Sequence, residues 1–166
     1  MEMLTTALVL AQAAGAVVGA GGAIFAELSY FRVMKDGVID SAERAHLVIL
    51  ARSLRWGMFV VLGSSVGLVI IAFASDAPIQ PALTSAYWTL MTITLAVILS
   101  SWALSRRKVS FVIGSAVAFT GWWFITLLSF AQFPPMSFGA SLALYIVAVA
   151  IIGVVLAYAR MLTRKI

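Results

Sequence analysis

Five apolar runs separated by short polar turns occupy most of this 166-residue sequence. Each is close to the roughly 20 residues that a helix needs to cross a hydrocarbon core of about 30 Å. In such a solvent every backbone N–H and C=O must find its partner within the segment, so runs of this length read as α-helices. The sequence therefore predicts an all-α integral membrane bundle of five transmembrane helices, at about 4–27, 56–75, 82–104, 109–131 and 140–159. With 63% hydrophobic and 10% charged residues, nothing is left over for a separate soluble domain. Residues 1–166 read as a single transmembrane domain.

The turns are punctuated by residues that helices avoid. Lys35-Asp36-Gly37 closes the first helix, and the prolines of SDAPIQP and QFPPMSFG break the chain after the second and fourth. Asp40 stands three residues before Glu43, the spacing of a capping box. No Gly or Pro follows Ser41 until Gly57, so one continuous helix is expected from Ser41 to about Ser75. Its first turns would form a cytoplasmic stem within about 35–55.

The eleven Lys and Arg residues fall in three groups: Arg32, Lys35, Arg44, Arg52 and Arg55; Arg106, Arg107 and Lys108; and Arg160, Arg164 and Lys165. The other two turns carry none. Short loops rich in Lys and Arg stay on the cytoplasmic side, which predicts an outside N-terminus and a cytoplasmic C-terminus in a bacterial or archaeal inner membrane. The net charge of +5 is accounted for by topology, and nucleic acid is not expected as a partner. Tyr30, Trp56, Trp102 and Tyr158 at one set of span ends, with Tyr87 and Trp88 at the other, fit interfacial belts. Glu2 without a basic residue before the apolar run argues for a retained first span over a secretory signal.

Within the first span, Ala7, Ala11, Gly15, Gly19, Ala23 and Glu27 recur every fourth residue, a stripe of small side chains ending in a carboxylate. Such stripes let helix backbones approach closely. The stripe is therefore expected to pack against another helix or a second protomer, and a homo-oligomer is expected on that ground. Read functionally, it lines a narrow path or a flat cofactor, with Gln12 one turn away as the polar residue on that path. Glu27 is expected to meet Arg52 and Arg55 from the second span, either as an ion pair bracing the first hairpin or as a relay for a proton or cation.

Other candidates are thinner. Asp36, Asp40 and Glu43 match the second half of an EF-hand loop, but Arg32 and Met34 stand where its leading carboxylates belong, so no metal is expected. His46 is the single histidine, which excludes bis-histidine haem within one chain. The chain has no cysteine, hence no disulfide or thiolate site. No Ser-His-Asp set, P-loop or zinc spacing is present, so an enzyme is not expected. Gly121-Trp122-Trp123, with Tyr145 at similar depth, marks a candidate pocket in the fourth span.

The stretches GAGGAIFAELSYFRVMKDGVIDSAE, RSLRWGMFVVLGSSVGL and GSAVAFTGWWFITLL together resemble a family of uncharacterised bacterial multi-span inner-membrane proteins. That family shows a Gly-Gly-Ala first span, a Phe-Phe-Arg and Asp-Gly turn and a late Ser-Trp-Tyr span. Tyr30-Phe31-Arg32 and Gly121-Trp122-Trp123 depart from its pattern. The resemblance implies membrane localisation and carries no established activity.

The expected function is passage of a small solute or ion as a transporter or channel, with Glu27, Gln12, Arg52 and Arg55 along the route and no cofactor. One alternative is a non-catalytic scaffold or sensor presenting the basic stem to anionic lipid or a protein partner. A further alternative is a quinone- or haem-associated redox subunit using the Trp122, Trp123 and Tyr145 region.

Overall fold

The computed structural model describes residues 2–36 and 41–163, with all their side chains except those of 33–36, 42–44, 46 and 47. Five α-helices carry the described chain: α1 Glu2–Asp36, α2 Ser41–Ala74, α3 Ser85–Ser105, α4 Phe111–Ser129 and α5 Phe138–Thr163. Each is long and apolar enough to cross a membrane. The capping-box pair Asp40 and Glu43 lies outside the described residues and side chains, as do the side chains of Asp36 and His46. α2 runs without a break for 34 residues, joining the stem to the span.

All four prolines fall between helices, where a missing N–H costs no helical bond. Pro81–Leu83 forms one 3-10 turn, so α3 begins three residues later than the apolar run alone suggests. Thr84, Ser110 and Ser137 cap α3, α4 and α5, their hydroxyls accepting from the N–H groups of Tyr87, Ile113 and Ala140. At the other ends α2, α3 and α4 stop in the same way. Asp76, Arg107 and Ala131 adopt left-handed backbone with φ of 46°, 54° and 52°. In each case the following N–H reaches back five residues to a carbonyl: Ala77 to Ala72, Lys108 to Ala103 and Gln132 to Leu127.

α4 is the centre of the bundle, packed against α1, α3 and α5, while α2 lies mainly on α1. Small residues set these contacts. A Cβ at Gly57 would lie 2.9 Å from the carbonyl oxygen of Gly15, so the α1 and α2 backbones nearly touch. On α4, Gly114 receives the Leu104 side chain and Gly121 receives Val97, which draws α3 against it. The stripe found in the sequence is buried at Gly15, Gly19, Ala23 and Glu27 and faces other helices of this chain. Large apolar side chains such as Phe59, Ile70 and Phe73 of α2 and Val154 of α5 are exposed, so the outer surface is oily.

Candidate functional site

Successive helices alternate in direction, which gathers the described basic residues at one end of the bundle. At that end α1, α4 and α5 converge on one buried ion pair. Nη2 of Arg160 donates to Oε2 of Glu27 at 2.6 Å and to Oγ of Ser115 at 2.7 Å. Arg160 and Glu27 are 6% and 7% exposed. The Ser115 hydroxyl accepts from Arg160 and donates onward to the Val112 carbonyl, which orients it as an acceptor. Beside the pair, Tyr30 and Phe111 stack with ring centroids 4.2 Å apart. The guanidinium carbon of Arg160 lies 4.9 Å and 4.8 Å from those centroids, within cation–π range.

The guanidinium is not fully satisfied. Its Nε and Nη1 are buried with no hydrogen-bond partner among the described residues. A buried donor without an acceptor costs about 1–3 kcal/mol, more for a charged group. Glu27, Ser115 and the two rings hold Arg160 in place regardless.

The sequence pointed to Glu27 but to other partners. Arg52 and Arg55 are exposed on α2, and Nε of Arg55 donates to the Ala51 carbonyl of its own helix. The carboxylate instead meets Arg160, which counting basic residues assigned to a tail following the last span. α5 continues to Thr163, so Arg160 is still helical and its side chain turns inward. Its burial shows only in the packed bundle. Ser141, Tyr145, Leu156 and Arg160 are the buried residues of α5 and lie along one side at helical spacing. A cation ending such a stripe is a buried cation.

Gln12 belongs to the opposite end. It is fifteen residues from Glu27, about 22 Å along a helix at the standard rise, and its Nε2 is 3.5 Å from Oγ of Ser129. There it lines a cleft of about 170 Å³ with Ser65, Thr84, Tyr87 and Leu128. Between Gln12 and Glu27 the α1 face is closed by Gly15, Ala16, Gly19 and Ala20, all buried. Trp122 fills this middle layer and is 2% exposed. Its neighbour Trp123 turns outward, and the Tyr145 hydroxyl donates to the Val117 carbonyl at 3.0 Å. Trp122 and Tyr145 belong to one buried core cluster, and Trp123 is at the surface.

No protein family, curated protein or solved structure matches this chain. Its functional reading rests on the site itself.

Proposed function

We propose that this chain is an inner-membrane protein, N-terminus outside and C-terminus cytoplasmic, that passes a small solute or ion through a charged centre formed by Glu27 and Arg160. The observation that carries the reading is the buried pair itself, on helices apolar enough to span a membrane. Ionisable side chains buried among membrane-spanning helices are costly, and such groups are functional candidates by default. Two buried Arg160 nitrogens have no acceptor among the described residues, so the centre has donors to offer a further polar group. The confinement of every Lys and Arg to the same alternate ends of the spans supports the orientation.

In this reading Arg52 and Arg55 stand at the mouth of the route, and the cleft at Gln12 is the opposite vestibule. The packed layer at Gly19 and Trp122 is the barrier that must loosen for passage. The test is flux in sealed liposomes against a panel of potassium, protons, phosphate and glycerol, comparing the native chain with Glu27→Gln. Loss of flux in a variant of unchanged helicity supports the reading, and no flux of any solute by the native chain removes it.

A second reading is favoured by one observation. Arg52 and Arg55 are exposed on the helix that also carries the stem, where they can meet anionic headgroups. A scaffold of this kind would show no flux, and Arg52→Gln with Arg55→Gln would reduce retention of phosphatidylglycerol in native mass spectrometry. Neither reading depends on a homo-oligomer; the stripe is buried within the chain from Gly15 to Glu27 and exposed at Ala7.

A further inference from the structure

Arg160 carries five N–H groups, all donors. The two on Nη2 are taken by Glu27 and Ser115, which leaves the one on Nε and the two on Nη1 buried and without acceptors among the described residues. Buried polar groups in folded proteins almost always have partners, so a missing acceptor is informative. The faces of Tyr30 and Phe111 favour the positive charge but do not replace in-plane oxygen acceptors. Guanidinium is matched best by carboxylate and phosphate oxygens, through charge-assisted bonds.

We propose that Arg160 is a binding site for an oxyanion of the carboxylate or phosphate class, and that Glu27 takes up a proton when the anion binds. This deepens the transport reading above and rests on it. The second half follows from charge. Arg160 and Glu27 are together neutral, and adding an anion would leave an uncompensated negative charge in a buried place, which is expensive. A proton on Glu27 restores neutrality and frees Arg160 from its present partner.

The groups around the carboxylate leave few other routes to neutrality. α5 contributes Arg160 and α1 contributes Tyr30. α4 contributes Ser115 and Phe111, which carry no charge. The described cations Arg32 of α1 and Arg52 and Arg55 of α2, which packs on α1, are exposed. The same oxyanion chemistry is offered by a free carboxylate or phosphate and by the phosphate of a lipid headgroup.

The test is calorimetric titration of the full chain in a phosphate-free maltoside detergent with sodium acetate and with sodium phosphate. Repeating it in two buffers of different ionisation enthalpy counts the protons exchanged. Binding with about one proton taken up per anion is expected by linkage. Glu27→Gln should keep binding and lose the proton uptake, and Arg160→Gln should lose binding at least tenfold. The proposal is overturned by no binding of either anion, by unchanged affinity in Arg160→Gln, or by binding without proton uptake.

If Arg160→Gln does not fold, the proton count in Glu27→Gln decides alone. Pre-incubation with phosphatidic acid separates the sources: blocked acetate binding assigns the site to a headgroup, and unblocked binding to a free anion. Binding without liposome flux keeps this site and removes transport, whereas flux without binding keeps transport and removes this site.

Discussion

Trp122 occupies the space that a side chain at residue 19 would need. A Cβ built on Gly19 falls 1.9 Å from Cζ3 of the indole, and one built on Gly57 falls 3.4 Å from its Cη2. The ring is therefore seated in a notch cut by two glycines on two helices, and it locks α4 to the α1 and α2 hairpin. The Thr126 hydroxyl shares its one proton between the Trp122 carbonyl of its own helix at 2.8 Å and, across the same seam, the Ala16 carbonyl at 3.2 Å.

Gly19→Val should accordingly destabilise the bundle by about 1–3 kcal/mol, the usual range for overpacking a filled interior. Gly63 is the comparison, since nothing lies within 4 Å of a Cβ built there. Gly63→Ala should be neutral or stabilising by up to about 1 kcal/mol through helix propensity. Both are read from thermal unfolding in detergent.

The pair of Glu27 and Arg160 should be strongly coupled. Removing one charge strands the other in a buried place, so Glu27→Leu and Arg160→Met should each cost about 3–5 kcal/mol. The double variant should cost clearly less than their sum, because no buried charge is then left unpaired. Additive losses in a double-mutant cycle would mean that the two groups act independently.

Ala131 ends α4 in left-handed backbone, a conformation that costs an L-residue about 1–2 kcal/mol. Its side chain is exposed, so Ala131→Gly removes the strain and disturbs no packing. After the entropy cost of glycine in the unfolded chain, a net gain of about 1 kcal/mol is expected, read as a raised melting temperature.

The proposed topology is open to direct chemical labelling, because the chain has no cysteine of its own. A membrane-impermeant maleimide added to intact spheroplasts should modify Asp76→Cys and leave Arg107→Cys unmodified until the cells are opened. The reverse pattern would invert the orientation, and labelling of both in intact cells would rule out a spanning arrangement.

The helices were legible in the sequence because their causes are local. Runs of apolar residues, four prolines confined to turns and hydroxyl residues such as Ser110 placed at helix starts all act within a few positions of one another. The partner of Glu27 was not legible in the same way. Arg52 and Arg55 were near in topology, whereas Arg160 is 133 residues away and becomes a neighbour only once α5 packs on α4. The seat of Trp122 has the same origin. Gly19 announces a close approach but not which side chain makes it, and the answer depends on how α4 crosses two other helices.

The most direct measurement of the proposed function is flux into sealed liposomes containing the native chain, Glu27→Gln or Gly63→Ala, at matched protein density and helicity. Solute passage through a centre at Glu27 and Arg160 predicts flux of at least one small ion or solute by the native chain and by Gly63→Ala, reduced at least tenfold in Glu27→Gln. Equal flux in all three, or none above protein-free liposomes, would contradict it.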